Sequence, residues 1–390
     1  MSRMRKIYED ASERLTRKRW SIPIHGRKQW AAILLLTFLL IGGLVMVLRV
    51  ETSYGIVDSF EKTDVSGTEY QHFGRRLFKY SPDGVSCLNN RGDVVWNCTF
   101  SMQSPITDIC DTTAVVGDQQ GTSVYIFDED GQIGQFDTLL PIVKIKVARQ
   151  GVVAAVLEDE DVTWICFYNT KGEEIAKMRT TLEESGYPLD MDLSPDGLKI
   201  MVSFLYVDQG ILKTNVSFYN FDAAGQAEED NLVNKVSYNN VVAPSAYFVD
   251  SERSVVIRSD GFSIFQGKDV PREKANVSFE NEILTTFHED GNLGFIFKSD
   301  KADYKYKMLI YNMNGRCTMK KYFNMDYQQA EMENGNIILF SDKEFQVYSS
   351  RGRKRVDVTY QKSIEDVICV SNFGKYMVVS SETTEMIRVR

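Results

Sequence analysis

Residues 124–131 read Val-Tyr-Ile-Phe-Asp-Glu-Asp-Gly, a run of branched and aromatic residues that ends in a polar turn closed by glycine. Such residues favour a β-strand, and glycine supplies the positive φ that a tight hairpin turn requires. The pattern recurs, with variations, at six other places: 85–92, 165–172, 216–222, 262–267, 308–315 and 345–352. The chain is therefore predicted to repeat one β-hairpin unit.

The turn glycines of these copies are separated by 37 to 53 residues along the chain. They are Gly92, Gly131, Gly172, Gly225, Gly267, Gly315 and Gly352. A period near ~40–45 residues, with about four strands in each repeat, is typical of β-propeller blades. Apolar residues at helical spacing are nearly absent from this part of the sequence. We therefore predict an all-β fold, a β-propeller over residues 75–390.

Eight blades are the favoured count. Three C-terminal strands, at 367–370, 377–380 and 386–389, lack a fourth strand to complete their sheet. A strand at residues 55–60 would complete it and close the ring, which removes exposed sheet edges. The alternative is seven blades, with residues 50–74 serving only as a linker.

An uncharged apolar run occupies residues 31–48. At about 1.5 Å per residue it spans roughly 27 Å, close to the thickness of the hydrocarbon core of a bilayer. With Trp30 as an interfacial aromatic anchor, residues 30–49 are predicted to form a single transmembrane helix in the lipid bilayer. A cleaved signal peptide is the competing interpretation. The run is long for a signal core, however, and no small-x-small cleavage site follows it.

The charges of the chain predict its orientation in the membrane. Residues 1–29 carry nine Lys and Arg against three Asp and Glu, whereas the remainder carries 36 basic and 51 acidic residues. The positive-inside rule makes residues 1–29 a basic cytoplasmic tail and places the C-terminal domain outside the cell. We thus expect a single-pass protein of the cell membrane. The acidic balance of the body disfavours nucleic acid as a partner, because it would repel phosphates.

Short motifs resemble those of known propellers. Ser-Pro-Asp-Gly at 81–84 and again at 194–197 resembles the strand-linking turn of TolB-like and WD40-like propellers, and residues 92–96 are similar to the Gly-x-x-x-Trp turn of quinoprotein-like propellers. With its basic tail, single anchor and propeller, the chain resembles an uncharacterised membrane-anchored family of Gram-positive bacteria. This resemblance implies a fold and a location but no reaction. The Gly-x-x-x-Trp turn occurs once and the Trp-Asp ending of WD40 repeats is absent, so no cofactor is carried over.

The sequence offers no catalytic constellation. Its three histidines, His25, His72 and His288, share no metal-ligand spacing, and no nucleophile elbow or phosphate loop occurs. The acidic runs at 158–161 and 229–230 fall in predicted turns, where solvated faces are expected. We predict no catalytic residue, metal or cofactor. The cysteines are expected to be buried thiols, with one Cys87–Cys98 disulfide across a hairpin as the alternative; the full set is Cys87, Cys98, Cys110, Cys166, Cys317 and Cys369.

The favoured function is a non-enzymatic binding or scaffold module for a protein or wall polymer of the cell envelope. Propeller loops carry recognition while the strands fix their geometry. The candidate binding residues are loop tyrosines and one basic hairpin: Tyr187, Tyr238, Tyr304, Tyr306, Tyr327, Arg351, Arg353, Lys354 and Arg355. The alternative is an envelope enzyme of the glycosidase, lyase or quinoprotein type. It predicts titratable side chains that converge in the channel of the propeller.

Overall fold

The computed structural model describes residues 30, 33–38, 49–61, 67–159, 162–181, 185–371 and 374–390. The chain divides into two compact units, Met1–Val50 and Glu51–Arg390. Of the predicted transmembrane segment, Trp30 and residues 33–38 are helical, and nearly all of the rest lies outside the described residues, as does the predicted tail 1–29. Within the described part of the chain, no helix combines the length and the apolar character needed to cross a membrane.

The second unit contains eight four-stranded antiparallel sheets, the blades of a β-propeller. Blades 1 to 4 contain β2 (Glu69–Phe73), β3 (Arg76–Ser81), β4 (Gly84–Leu88), β5 (Val94–Thr99), β6 (Pro105–Cys110), β7 (Thr113–Asp118), β8 (Ser123–Asp128), β9 (Gly131–Asp137), β10 (Ile142–Val147), β11 (Val153–Asp159), β12 (Val162–Tyr168), β13 (Glu174–Thr181), β14 (Tyr187–Leu193), β15 (Lys199–Asp208), β16 (Ile211–Asn220) and β17 (Leu232–Asn239). Blades 5 to 8 contain β18 (Ser245–Phe248), β19 (Arg253–Arg258), β20 (Gly261–Gln266), β21 (Arg272–Ser278), β22 (Ile283–Glu289), β23 (Asn292–Lys298), β24 (Tyr306–Tyr311), β25 (Cys317–Phe323), β26 (Gln329–Glu333), β27 (Asn336–Phe340), β28 (Glu344–Ser349), β29 (Lys354–Thr359), β30 (Ile364–Ser371), β31 (Lys375–Ser380), β32 (Thr383–Val389) and β1 (Tyr54–Glu61).

The ring closes through blade 8, where the N-terminal strand β1 pairs with β32. The register runs from Tyr54 opposite Val389 to Glu61 opposite Thr383. The predicted closing strand and the count of eight blades are therefore confirmed. The propeller also uses residues that the sequence analysis assigned to the linker, because β2 is the first strand of blade 1.

Six of the seven predicted turn glycines have a positive φ, as hairpin turns require. Gly225 is the exception, and its assignment to a turn was wrong. It is buried in a short helix, α1 (Ala223–Gln226), within the connection from β16 to β17. A Cβ atom at this position would lie 1.7 Å from the carbonyl oxygen of Asn220. Any residue other than glycine would therefore clash with the backbone. A single turn of 3₁₀-helix (Glu229–Asn231) follows.

The hydrophobic core consists of eight clusters among the described residues, each between two neighbouring blades. The cluster between blades 7 and 8 contains thirteen buried residues, among them Phe345, Tyr360 and Tyr376. The cluster between blades 8 and 1 contains six, among them Leu77 and Met377. Burying apolar side chains between sheets is the main stabilising contribution of such a fold. Because the clusters follow one another around the ring, each blade depends on both of its neighbours.

The turns lie at two opposite ends of the propeller. The proximal end holds the turns that join the first strand to the second in each blade and, in blades 1 to 7, the third to the fourth. The distal end holds the turns between second and third strands and the connections between blades. The chain joins the propeller at the proximal end, where the N–H of Glu51 donates to the carbonyl of Arg355 at 2.8 Å.

Candidate binding surfaces and channel

The first strand of each blade lines the central channel, and neighbouring first strands such as β6 and β10 contact each other. The larger of two cavities in this channel has a volume of about 790 Å³ and lies among β2, β22, β26 and β30. We call it the acidic cavity after the carboxylates in its lining: Glu69, Glu331, Glu333, Glu365 and Asp366. His72 and His288 also line it, so the channel brings together two histidines that share no spacing in the sequence.

The carboxylates of the acidic cavity repel one another. Burial, together with the charges of Glu331 and Glu333, raises the pKa of Asp366 to about 8. Burial also raises the pKa of Glu331. Burial alone would lower the pKa of His72, but the carboxylate of Glu333, 3.4 Å from its Nε2, raises it overall. At neutral pH this wall therefore holds Asp366 in its protonated form.

The second cavity, of about 260 Å³, lies nearer the proximal end, and we call it the lysine cavity. Lys146 lies between two carboxylates there, with Nζ 2.9 Å from Asp108 and 3.3 Å from Asp192. Burial raises the pKa of Asp192 to about 6 although Lys146 opposes this. His288 stacks on the ring of Tyr247 at 3.7 Å, and burial followed by the charge of Lys146 lowers its pKa to about 4. Lys146 thus offsets part of the negative charge of this wall, through its contacts with Asp108 and Asp192.

Neither cavity is a preformed metal site. In the residues that the structure describes, no three His, Cys, Asp or Glu side chains converge closely enough to hold a metal ion. The carboxylates of the channel differ from the acidic runs at 158–161 and 229–230 that the sequence suggests for catalysis. They come from three strands, β2, β26 and β30, so no short motif identifies the whole set. The local signals are two pairs that each lie on one strand, Glu331 with Glu333 on β26 and Glu365 with Asp366 on β30.

The five predicted tyrosines all lie at or beside the distal end, at strand starts, strand ends or connections. Tyr187 and Tyr304 are exposed, at 46% and 41%. Tyr238 is packed, since its hydroxyl donates to Ser263 at 3.0 Å and the guanidinium of Arg258 covers its ring. Tyr306 and Tyr327 pack against each other with ring centroids 5.2 Å apart. Two of the five therefore offer free surface to a partner.

The distal end also exposes apolar side chains that the sequence analysis missed. Leu139, in the connection between blades 2 and 3, is 91% exposed, and Val207 is 67% exposed. Val207 belongs to the hairpin of β15 and β16, whose strands have ten residues each and are the longest in the propeller. Ile211 and Leu284 are partly exposed at the same end. The sequence signal that could have found Leu139 is an apolar Leu-Leu-Pro run within a predicted connection.

The predicted basic hairpin lies at the opposite, proximal end, in the turn between β28 and β29. Arg351 is exposed at its tip. Lys354 pairs with Asp357 at 2.8 Å, and Arg355 donates to the side-chain oxygen of Asn336 at 2.9 Å. The tyrosines and the basic hairpin are thus two separate surfaces rather than one.

The cysteines are all free thiols, but the expectation that they are buried holds for three of the six only: Cys87, Cys166 and Cys369 are buried, Cys98 and Cys110 are half-buried, and Cys317 is exposed. Cys87 and Cys98 lie on the adjacent strands β4 and β5 but are not opposite each other, because Cys87 faces Trp96 and Cys98 faces Val85. This register explains why the hairpin carries no disulfide. Burial raises the pKa of both thiols, which makes them poor nucleophiles at neutral pH.

Comparison with known proteins identifies the family of this propeller. Residues 48–389 match the family described as "Family of unknown function (DUF5711)". The chain belongs to this DUF5711 family. No curated protein matches the sequence. The match begins just before β1 and ends at the last residue of β32, so the DUF5711 region coincides with the closed ring.

Solved structures resemble the DUF5711 propeller in fold. BamB from Moraxella catarrhalis superimposes with a TM-score of 0.51 at 10% identity, covering 86% of this chain and 100% of that chain. The WD40 domain of Pan2 from Neurospora crassa gives 0.42 at 9% identity, with 73% and 87% covered. Hsv2 from Kluyveromyces lactis gives 0.45 at 11% identity, with 79% and 98% covered. At this identity the likeness to BamB shows the propeller fold alone.

Proposed function

We propose that this protein is a membrane-anchored, extracytoplasmic binding module that holds a partner protein of the cell envelope at the distal end of its propeller. The observation that carries the proposal is the exposure of large apolar side chains in distal loops, with Leu139 and Val207 foremost. Residues 30–49 serve as the anchor, as their apolar run and flanking charges indicate. The Gram-positive cell envelope is the location that the sequence resemblance implies.

Exposed apolar side chains are the expected anchors of a protein interface. A partner that buries Leu139 and Val207 removes their apolar surface from water, which contributes about 25 cal/mol for each Å² buried. The connections at 100–104, 138–141 and 240–244 contain no charged residue, so docking there leaves no unpaired charge buried. A hydroxylated or anionic wall polymer has little apolar surface to match these side chains. A protein is therefore the favoured partner.

The experiment is site-specific photo-crosslinking of the full chain in intact cells. A crosslinking residue at position 139 or 207 should capture one discrete protein, and Leu139→Ser should weaken the capture from position 207. The matched control is position 198, because Leu198 is 40% exposed but lies at the proximal end. Equal products from all three positions, or none from the distal positions, would contradict the proposal.

A second candidate function is glycoside hydrolysis in the acidic cavity. One observation favours it: Asp366 keeps its proton near neutral pH beside Glu331 and Glu333, as a general acid does beside a carboxylate in glycosidases. The test is turnover by the full chain on envelope glycans. Hydrolysis that Asp366→Asn abolishes would establish this activity, whereas equal rates in the variant and the parent would exclude Asp366 as its acid.

A further inference from the structure

The proximal end is divided by charge into two parts. In blades 2 to 5, the turn residues at this end include twelve acidic and three basic side chains. In blades 7, 8 and 1, the described turn residues include two acidic side chains, Glu51 and Asp93, and five basic ones. We call these five the basic sector: Arg75, Arg91, Arg351, Arg353 and Arg390. A positive sector of this kind stands out in a chain whose net charge is −9.

The basic sector is built from turns that contact one another across blades. The Nζ of Lys375 in blade 8 donates to the carbonyl of Asn90 at 2.8 Å, next to Arg91 of blade 1. The guanidinium of Arg390 lies over Gly55, where an added Cβ would meet it at 2.8 Å. Four of the five arginines are exposed, and Arg353 is half-buried. Their charges are therefore available to a large anionic surface.

The point where the chain joins the propeller lies inside this sector. Glu51 is held on β29, since its N–H donates to Arg355 and its carbonyl accepts from the N–H of Asp357 at 2.9 Å. The predicted membrane span ends at residue 49. Arginines that surround this junction are suited to phosphate headgroups, because guanidinium groups bind phosphate in bidentate geometry.

We propose that the basic sector binds the headgroups of anionic phospholipids, so that the proximal end lies on the membrane and the distal end faces away from it. This inference rests on the proposed anchoring, since it is the anchor that brings a bilayer to Glu51. The acidic turns of blades 2 to 5 are repelled by the same surface, so the two parts together orient the propeller. Polybasic segments bind anionic bilayers in this way, and high salt weakens the binding.

The test is arginine footprinting of the full chain with phenylglyoxal, read by mass spectrometry. The chain is reconstituted in vesicles of phosphatidylcholine alone or with phosphatidylglycerol. We expect modification of Arg75, Arg91 and Arg351 to fall about fivefold in the anionic vesicles only, the change that roughly one favourable contact gives. Exposed Arg179 on β13, away from the sector, serves as the internal control and should react equally in both.

Charge reversal sharpens the result. The double variant Arg351→Glu with Arg353→Glu should restore the reactivity of Arg75 and Arg91 in anionic vesicles, whereas Lys268→Glu, at the same end in blade 5, should not. Equal reactivity in both kinds of vesicle overturns the inference. Protection by soluble polyphosphate but not by anionic vesicles overturns it in favour of an anionic polymer.

Failure of the anchor is measured separately. Extraction of the chain from cell membranes by alkaline carbonate would contradict the anchoring of residues 30–49. Vesicles of phosphatidylglycerol added from outside to the extracted chain would still protect Arg91 if the sector binds lipid. The two proposals can therefore fail independently.

Discussion

The two ends of this propeller are built from the same strands but differ in the side chains of their turns. At the proximal end the chain joins the ring, the last strand closes it, and charged turns dominate. At the distal end three of the connections between blades, at 100–104, 138–141 and 240–244, contain no charged residue, and Leu139 and Val207 are exposed to solvent. The difference indicates that the strands fix the fold while each set of turns is adapted to a separate surface. We propose lipid for the proximal set and a protein partner for the distal set.

The largest difference between the two ends is expected on truncation. Deleting residues 381–390 removes β32, so β1 and β31 lose their partner and open edges are exposed. We expect an aggregated or rapidly proteolysed product. Shortening the distal hairpin by deleting residues 206, 207, 212 and 213 keeps the pairing register and should shift Tm by only about 2 °C. Thermal unfolding of the two deletion variants checks both expectations. A truncated chain that stays monomeric and melts at the parent's Tm would contradict the need for β32 to close the ring.

The second largest effect on stability is expected when Lys146, near the proximal end, no longer separates its two carboxylates. Lys146→Met leaves Asp108 and Asp192 facing each other without their cation. Breaking a buried pair in this way costs about 3 kcal/mol in the free energy of unfolding. Equilibrium urea unfolding measures it. Lys305→Met, which removes an exposed distal pair with Asp326, is the control and should leave the urea midpoint unchanged. Equal effects of the two substitutions would contradict the stabilising role of Lys146 between Asp108 and Asp192.

The acidic cavity should give the propeller a characteristic pH dependence. The folded-state pKa of Asp366 is raised to about 8, so between pH 4 and pH 8 the folded chain holds a proton that the unfolded chain releases. The stability contributed by this group is therefore lost as pH rises through that window, by about 1 kcal/mol for each pH unit. Asp366→Asn should remove this slope and so become more stable than the parent as pH rises. The control Glu365→Gln changes an exposed neighbour and should keep the slope of stability against pH. Parallel stability curves for the parent and both variants would show that Asp366 has an ordinary pKa.

The smallest expected effect on stability is at the distal loops themselves. Leu139→Ser removes an exposed side chain that packs on nothing essential, so the free energy of unfolding should change by less than about 0.5 kcal/mol. Leu77→Ala, which opens the cluster between blades 8 and 1, should cost about 3 kcal/mol by comparison. Urea unfolding distinguishes them. A large loss from Leu139→Ser would mean that this side chain belongs to the fold rather than to a binding surface.

The sequence could predict the ring because its signals are local. Hairpin turns at Gly131, Gly172 and Gly315 follow from residues next to them, and three unpartnered C-terminal strands required a fourth. The prediction of a hairpin turn at Gly225 was wrong because glycine is required there for a different reason. The carbonyl oxygen of Asn220 leaves no room for a Cβ atom, and the backbone φ is not positive.

The surfaces could not be predicted because they are assembled across the ring. Arg75 and Arg351 join one basic sector only when the propeller closes, and Glu69 reaches the same cavity as Asp366 for the same reason. The predicted loop position holds for Tyr304 and Tyr327 only, because Tyr187, Tyr238 and Tyr306 belong to strands β14, β17 and β24. Packing also hides Tyr306 and Tyr327. Burial depends on neighbouring blades, which single stretches of sequence do not reveal.

The central claim is that the distal end holds a protein partner. The most direct measurement is the yield of crosslinked product in intact cells when the crosslinking residue is at position 207. This yield is compared between the otherwise unchanged chain and the Leu139→Ser variant. A crosslinking residue at position 198 is the reference at the proximal end. The account predicts one discrete product from position 207 that falls about tenfold in Leu139→Ser and is absent from position 198, since the loss of a buried leucine costs roughly 1.4 kcal/mol or more. The same product from position 198, or a yield from position 207 that Leu139→Ser leaves unchanged, would contradict it.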